Sequence, residues 1–206
     1  MEIFQQILFS LLFIASIYLF SKRIGMIRHL IMMGQPEVIP TNTNQRWKNV
    51  FLLALGQKKM FKKPLVALMH LIVYLGFIII NIEMIEIIVD GIFGTHRILF
   101  ALIPSFYTLL IDSFEFLAIG VILACIIFLV RRNIIKIKRF SNDEINGWPA
   151  KDAKIILFTE IILMLLFLKM NATDTFLQTR GVAPYAEHIT GNFFFSSYAH
   201  PLLNNF

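Results

Sequence analysis

The sequence predicts an all-α integral membrane protein with four transmembrane helices and one amphipathic helix on the membrane surface. Of its 206 residues, 57% are hydrophobic and only 16% are charged, whereas about a quarter of a soluble domain is charged. The apolar residues form long blocks, and basic residues cluster at the ends of those blocks, as is typical of membrane proteins. The net charge of +6 therefore indicates a membrane rather than nucleic acid as the partner.

The first apolar block, residues 3–21, has the length of roughly 20 residues that a helix needs to cross the hydrocarbon core. It lacks the basic start and the small-residue cleavage site of a signal peptide, so we expect a retained span. Residues 22–33 then place Ile24, Ile27 and Leu30 on one helical face with basic residues around them. This pattern predicts an amphipathic helix on the inner leaflet.

Three further blocks predict the remaining spans. Residues 65–89 follow Pro64, which suits the first turn of a helix. Residues 109–130 form the third span and residues 152–170 the fourth. The fourth is the shortest, and flanking lysines such as Lys169 can extend their ammonium groups to the interface.

The basic residues predict the orientation. Of the 19 Lys and Arg residues, nine lie in the loop 22–63 and seven lie between residues 131 and 154. The positive-inside rule places both loops in the cytoplasm and both chain termini outside. We therefore predict a transmembrane domain over residues 1–172 and an extracytoplasmic tail over residues 173–206.

His70 is the leading candidate for a cofactor ligand. It lies six residues past Pro64, about 9 Å into the second span. An ionisable group at that depth is costly and is a functional hypothesis by default, and imidazole is a usual axial ligand of haem iron. The alternative is a neutral histidine hydrogen-bonded to a neighbouring helix. Gly76 and Gly120 would allow close packing of a helix or of a flat macrocycle.

Glu160 is the second candidate. It lies eight residues past Asp152, roughly 12 Å into the fourth span and therefore at a depth similar to that of His70. Such a carboxylate could pair with a histidine, relay a proton or bind a quinone headgroup. The alternative is a protonated acid hydrogen-bonded within the bundle.

Five acids lie near the opposite membrane surface. Glu83, Glu86 and Asp90 share one face of the second span, and Asp112 and Glu115 open the third. We expect a solvated helix rim there. A proton exit or a quinone-side site is the alternative.

The other candidates carry little chemistry. We interpret the single cysteine, Cys125, as a packed residue, because no second thiol or Cys/His cluster accompanies it. The sequence contains no catalytic triad pattern, phosphate loop or metal-binding spacing, so catalysis by this chain alone is not predicted. Four histidines outside the spans are expected at interfaces rather than as ligands: His29, His96, His188 and His200.

Several segments together carry a family resemblance. They are the run from Leu55 to Pro64, His70, Gly76-Phe77, residues 160–164, residues 170–174, residues 185–188 and Ser196-Ser197. With them the chain resembles the N-terminal membrane domain of membrane-bound iron–sulfur oxidoreductases. That domain is a five-helix cytochrome b unit similar to the gamma chain of respiratory nitrate reductase. A cytoplasmic portion follows it, with ferredoxin-type clusters and cysteine-rich CCG modules like those of heterodisulfide reductases.

The resemblance implies a role in a respiratory chain. Related members pass electrons between electron-transferring flavoprotein and menaquinone, and His70 matches the position of the family's haem b ligand on the second helix. In the family a fifth helix supplies opposing histidines, and the iron–sulfur modules come after it. This sequence stops at Phe206, so we expect an incomplete bundle: a fragment, a split gene product or a degenerate copy.

The implied function is electron transfer between menaquinone and a cytoplasmic iron–sulfur partner through haem b, as the membrane part of an oxidoreductase. Its partners would be the lipid bilayer, a quinone, an iron–sulfur protein or module and electron-transferring flavoprotein. Two rivals belong to other classes. One is a transporter or channel component in which Glu160 and the outer acids form a cation path. The other is a membrane anchor that only recruits other proteins of a complex.

Overall fold

The computed structural model describes residues 2–35, 42–56, 64–135, 147–183, 185–187, 190, 193–196 and 198. The described residues form helices and turns and no strand. The α-helices are α1 (Glu2–Met32), α2 (Thr43–Asn49), α3 (Pro64–Phe93), α4 (Ile98–Leu102), α5 (Pro104–Asn133) and α6 (Trp148–Thr179). A π-helical turn, Val50–Leu55, follows α2, and a 3₁₀ turn, Tyr185–Glu187, follows α6.

Four of these helices, α1, α3, α5 and α6, are long and apolar enough to cross a membrane. The prediction of an all-α membrane protein with four spans is confirmed. Each helix is longer than the apolar block that predicted it, with 30 to 32 residues. A 30-residue helix is about 45 Å long, whereas the hydrocarbon core is about 30 Å thick. Hydropathy marks the part of a helix that lipid surrounds, and backbone hydrogen bonding continues beyond it.

The first span needs a correction. We predicted a separate amphipathic helix over residues 22–33, but α1 continues without a break from Glu2 to Met32. Gly25 is the one helix-breaking residue type in this stretch, and a single glycine weakens a helix by about 1 kcal/mol without ending it. Residues 22–32 are therefore helical as expected, but they extend the first span.

The predicted border at residue 172 also needs a correction, because α6 runs on to Thr179. The described part of the predicted tail packs as well. Phe193 is fully buried in the hydrophobic core, and the Thr108 hydroxyl donates to the Thr190 carbonyl at 2.9 Å. The tail lacks a spanning pattern, but its aromatic residues supply enough apolar surface to fold back.

The chain divides into two compact units, one with Met1–Pro64 and Ile88–Thr95, the other with Leu65–Ile87 and His96–Phe206. In the first unit, Phe9 of α1 contacts Gly91 in the last turn of α3, and the Gln6 amide donates to the Ile92 carbonyl. No residue in the apolar stretch of α1 is buried within the protein. A helix that is apolar on all sides faces lipid or another apolar helix.

The second unit contains the core, where α5 packs between α3 and α6. Gly76 of α3 faces Val121 of α5 so closely that an added Cβ would lie 2.5 Å from its methyl group, and Gly120 faces Ile72. These glycines accept helix side chains rather than a macrocycle. Cys125 is buried, as expected. The buried core residues are Ile80, Tyr107, Ile111, Phe114, Ala118, Val121, Cys125, Met164, Phe167 and Phe193.

Candidate functional site

Two constellations of polar residues lie at the two ends of the second unit. His70 belongs to the first turns of α3, and Glu83 lies 13 residues later on the same helix, about 20 Å along its axis. We describe the His70 end first and the Arg97 end second.

The His70 imidazole opens onto a cavity of about 350 Å³, within the range of small-molecule sites. Its ring stacks against Phe128 of α5, with centroids 4.6 Å apart and the planes tilted by 35°. Arg131 and Arg132, the basic last turn of α5, line the same cavity. We call it the His70 cavity, and its lining residues are Val66, His70, Phe128, Arg131, Arg132, Ala153, Ile156 and Leu157.

The His70 cavity combines three kinds of group. Aliphatic side chains provide an apolar wall, the imidazole provides a ligating or hydrogen-bonding nitrogen, and Arg131 and Arg132 provide guanidinium groups that bind carboxylates. This set fits one face of a haem, whose iron takes imidazole and whose propionates take guanidinium. A six-coordinate haem b needs a second axial ligand. In the described part of the chain no second histidine lines the cavity, since His96 is at the other end of this unit and His29 belongs to the other unit.

Glu160 is half-buried on α6, one turn beyond Ile156 and Leu157. It does not line the His70 cavity, so the structure does not bring the two predicted site residues together. Its electrostatic neighbour is Cys125 of α5. Among the described residues no side chain or backbone group is hydrogen-bonded to its carboxylate.

At the other end, Arg97 is the central residue. It precedes α4 with a left-handed backbone, at φ 56° and ψ 54°, which costs a non-glycine residue roughly 1–2 kcal/mol. Its side chain is directed into the bundle and the residue is only 5% exposed. The strained turn is tolerated because the guanidinium finds partners on three helices.

These partners surround the guanidinium. Nε donates to Asp174 Oδ2 at 2.8 Å, and Nη1 donates to Glu83 Oε1 at 2.9 Å. Nη1 also lies 3.1 Å from the Tyr107 hydroxyl, and Nη2 donates to Asn171 Oδ1 at 2.8 Å. Arg97 thus links α3, α5 and α6 through one planar group with fixed donor directions.

Two further side chains complete the arrangement. Glu86 accepts from the Leu99 amide at one oxygen and from the Tyr107 hydroxyl at the other, both at 2.9 Å. His96 Nε2 lies 3.0 Å from Asp174 Oδ1, which is an ion-pair distance when His96 is protonated, although the two atoms do not meet hydrogen-bond geometry. We call this set the Arg97 cluster: Glu83, Glu86, His96, Arg97, Tyr107, Asn171 and Asp174.

The electrostatics hold Arg97 in its charged form. Burial by itself lowers the pKa of the guanidinium, but the interactions with Tyr107, Glu83 and Asp174 outweigh it and raise that pKa above its ordinary value. A buried cation with several hydrogen-bonded partners of opposite charge is the arrangement in which a charged group survives away from water.

The predicted solvated rim is therefore wrong for three of its five acids. Glu83 and Glu115 are 0% exposed, and Glu86 is 2% exposed. Glu115 accepts from the Phe195 amide at 2.9 Å and from the hydroxyl of Ser196. The acids lie on helix faces covered by Arg97, by the Leu99 amide and the Tyr107 hydroxyl and by the described part of the tail, and these contacts are not apparent from the local sequence.

The remaining two acids and the other histidines differ in their exposure and in their hydrogen-bond partners. Asp90 accepts from the Thr95 hydroxyl at 2.5 Å, and Asp112 accepts from the Phe194 amide at 2.8 Å. His29 is exposed on α1. His96, predicted at an interface, keeps 18% of its side chain exposed but joins the Arg97 cluster. The predictions for His188 and His200 fall outside the described residues.

One sequence signal could have drawn attention to Arg97, although not to its partners. Arg97 is one of only three basic residues outside the two basic loops, and it follows the acidic stripe of α3 directly. A lone cation beside an excess of acids on an apolar helix end is a candidate ion-pair centre.

Comparison of the chain with protein-family models, curated proteins and solved structures finds no match. The function has to be argued from the two constellations themselves.

Proposed function

We propose that this chain is the membrane part of an electron-transfer complex. In this proposal His70 binds a haem b, and electrons pass between menaquinone in the bilayer and a cytoplasmic iron–sulfur partner. The observation that supports it is the convergence of His70, Phe128 and Arg131 on one apolar cavity. A bound haem supplies a one-electron couple between ferric and ferrous iron.

The residues of the His70 cavity have separate roles in this proposal. The Phe128 ring stacks on the imidazole and limits its rotation, so a ligating nitrogen keeps its direction. Arg131 and Arg132 bind the propionates or the acidic surface of a partner. Ile156 and Leu157 keep water from one wall of the cavity. His70 would hold the haem, and any second protein ligand would come from outside the described lining of the His70 cavity.

The orientation belongs to the same proposal. The His70 cavity lies at the end of the bundle that carries Arg131 and Arg132, which the positive-inside rule places in the cytoplasm of a bacterial cell. The Arg97 cluster then lies near the outer surface of the inner membrane. An iron–sulfur protein or an electron-transferring flavoprotein reaches the haem from the inner side, and menaquinone reaches it through lipid.

The Arg97 cluster favours this function over a cation path. A path through the outer acids would need carboxylates that are open to a moving cation. Glu83 and Asp174 instead bind the guanidinium of Arg97, whose positive charge repels a second cation at a few ångströms. Glu160 lies apart from these acids on α6, so the carboxylates do not form a continuous path for a cation.

The test is the absorbance spectrum of the full chain, purified from membranes in mild detergent together with any proteins that stay bound to it, and with haem supplied. We expect reduced-minus-oxidised Soret and alpha bands that disappear in His70→Ala and persist in His29→Ala, which removes an exposed imidazole. Arg131→Gln should lower the midpoint potential, because loss of a nearby positive charge favours the more positive ferric iron. Absence of haem bands in the assembled wild-type complex, or their survival in His70→Ala, would reject the proposal.

A further inference from the structure

The charges of the Arg97 cluster do not balance. Three buried carboxylates, Glu83, Glu86 and Asp174, face one guanidinium. Counted over the seven described residues of the cluster, three fully ionised acids leave an excess negative charge in a region of low dielectric even with His96 in its charged form. An uncompensated buried charge costs several kcal/mol, so such a site takes up a proton or a cation instead.

The hydrogen bonds identify which carboxylate is least stabilised as an anion. Asp174 accepts from Arg97 at Oδ2, and its Oδ1 lies 3.0 Å from His96 Nε2, an ion-pair contact that falls short of hydrogen-bond geometry. Glu86 has donors at both oxygens. Glu83 accepts from Arg97 at Oε1 alone, and its Oε2 is buried without a partner among the described residues. Since hydrogen bonds to a carboxylate favour the charged form, Glu83 is the acid that binds a proton most readily.

A second buried group lacks a partner in the same place. Asn171 is fully buried, and its Nδ2 donor has no acceptor in the described part of the chain. Its Oδ1 accepts from Nη2 of Arg97, while Glu83 accepts from Nη1. The two side chains are therefore neighbours on one guanidinium. Asn171 has an unsatisfied donor and Glu83 has an unsatisfied oxygen. A buried water between them can accept from the first and hydrogen-bond to the second.

We propose that the Arg97 cluster is a proton-binding site, in which Glu83 holds one exchangeable proton at neutral pH and a buried water joins its Oε2 to Nδ2 of Asn171. Every element around Glu83 contributes a charged or titratable neighbour. These neighbours are Glu86 from α3, His96 and Arg97 from the turn before α4, Tyr107 and Glu115 from α5, and Asp174 from α6.

The site has a rim through which protons can exchange. His96 is the most exposed titratable member that touches the cluster's acids, with 18% of its side chain accessible. It lies 3.0 Å from Asp174, and both Asp174 and Glu83 bind Arg97. The proposal does not depend on haem binding at His70, because its ligand is a proton taken from water.

Infrared difference spectroscopy of the full chain in nanodiscs tests the proposal. At neutral pH we expect a carbonyl stretch of a protonated carboxylic acid that shifts to lower frequency in deuterated water. Glu83→Gln should remove it, and Glu160→Gln should remove a different band or none. Asp112→Asn is the matched control on α5, because its acid lies outside the cluster, and it should leave the Glu83 band intact. If folded Glu83→Gln keeps every protonated-acid band of the wild type, the proposal is overturned.

Thermal unfolding gives a second measurement that needs no band assignment. Glutamine resembles a protonated glutamic acid in shape and charge, so Glu83→Gln should unfold at nearly the wild-type temperature at neutral pH. Asp174→Asn should lower that temperature clearly, because it removes an ionised partner of Arg97. If Glu83→Gln destabilises the protein as much as Asp174→Asn does, Glu83 is ionised and the proposal fails.

A bound metal cation is the remaining way to balance the charge, and it also contradicts the proposal. Replacing sodium and potassium salts by choline chloride at constant ionic strength should leave the unfolding temperature unchanged. A rise in that temperature on adding back sodium or potassium, which Glu83→Gln abolishes, would identify a cation site instead.

Discussion

The two ends of the second unit use the same kinds of side chain in opposite ways. At the His70 end, the imidazole and the guanidinium groups line a cavity whose other walls are apolar. At the Arg97 end, a guanidinium, an imidazole, a phenol and three carboxylates bind one another. Burial and partners, rather than residue type, separate a place that can receive a ligand from a place that holds helices together.

The comparison bears on where stability resides. The Arg97 cluster joins three helices through buried hydrogen bonds, so disrupting it should strongly lower the free energy of unfolding. The His70 cavity contributes few contacts of its own, so its residues should be dispensable for folding. Four substitutions test this difference, in order of expected effect.

The largest effect is expected from Arg97→Leu. It leaves Asp174 buried without its cation and Glu83 without its hydrogen-bond donor, and removing one member of a buried ion pair costs about 3–5 kcal/mol. Arg97→Lys should fall between wild type and Arg97→Leu, because lysine keeps the charge but not the planar fork. Unfolding in mixed detergent measures both. Arg180→Gln is the control, since Arg180 is exposed and its contact among the described residues is the Phe176 ring. If Arg180→Gln lowered the free energy of unfolding as much as Arg97→Leu, the two arginines would not differ as described.

Gly76→Leu should have the next largest effect on the free energy of unfolding, because α3 and α5 are closely packed between the His70 cavity and the Arg97 cluster. An added Cβ at Gly76 would already lie 2.5 Å from the Val121 methyl group, and overpacking costs about 1–3 kcal/mol. Gly25→Leu on α1 is the matched substitution, since nothing lies within 4 Å of the Cβ position there. Equal unfolding temperatures for the two variants would mean that α3 and α5 do not pack as described.

Tyr107→Phe removes one hydroxyl from the Arg97 cluster. That hydroxyl donates to Glu86 and lies 3.1 Å from Arg97, and leaving a buried acceptor unsatisfied costs about 1–3 kcal/mol. The effect should fall in the lower part of that range, because Glu86 keeps its bond from the Leu99 amide. Tyr18→Phe, on the exposed face of α1, should change the free energy of unfolding by less. A larger loss in Tyr18→Phe would contradict the assignment.

His70→Ala should have the smallest effect on stability. The side chain is exposed to the cavity and its described contact is the Phe128 ring, and substitutions at such positions usually change stability by less than about 0.5 kcal/mol. The same variant should have the largest effect on cofactor binding. A strongly lowered unfolding temperature in the cofactor-free protein would show that His70 is a packing residue, and the contrast between the ends would disappear.

The fold could be predicted from the sequence because lipid imposes a simple requirement on it. A spanning helix must satisfy its own backbone and cover it with apolar side chains for about 20 residues, so four blocks give four helices. The ends of those helices were harder to predict from the sequence. Pro104 and Gly94 mark two of them, with proline in the first turn of α5 and glycine at φ 70° after α3, but α1 has no stop signal at residue 21.

The Arg97 cluster could not be predicted, because its partners are distant in sequence. Arg97 binds Glu83 across 14 residues and Asp174 across 77 residues. A stripe of acids at a helix end has the same pattern whether water or a guanidinium covers it. His70 could be proposed as a candidate because depth in a span is a local property, whereas the burial of Glu83 depends on the turn after α3 and on the last span together.

The position of Arg97 between the second and third spans has a consequence for biogenesis. Two of its hydrogen-bonding partners, Asn171 and Asp174, lie on α6, which the ribosome makes last of the four long helices. The hairpin of α3 and α5 therefore enters the membrane with a cation whose counter-charges are only partly synthesised. We expect the translocon to retain this hairpin until α6 arrives, and chains released before residue 171 to be recognised and degraded.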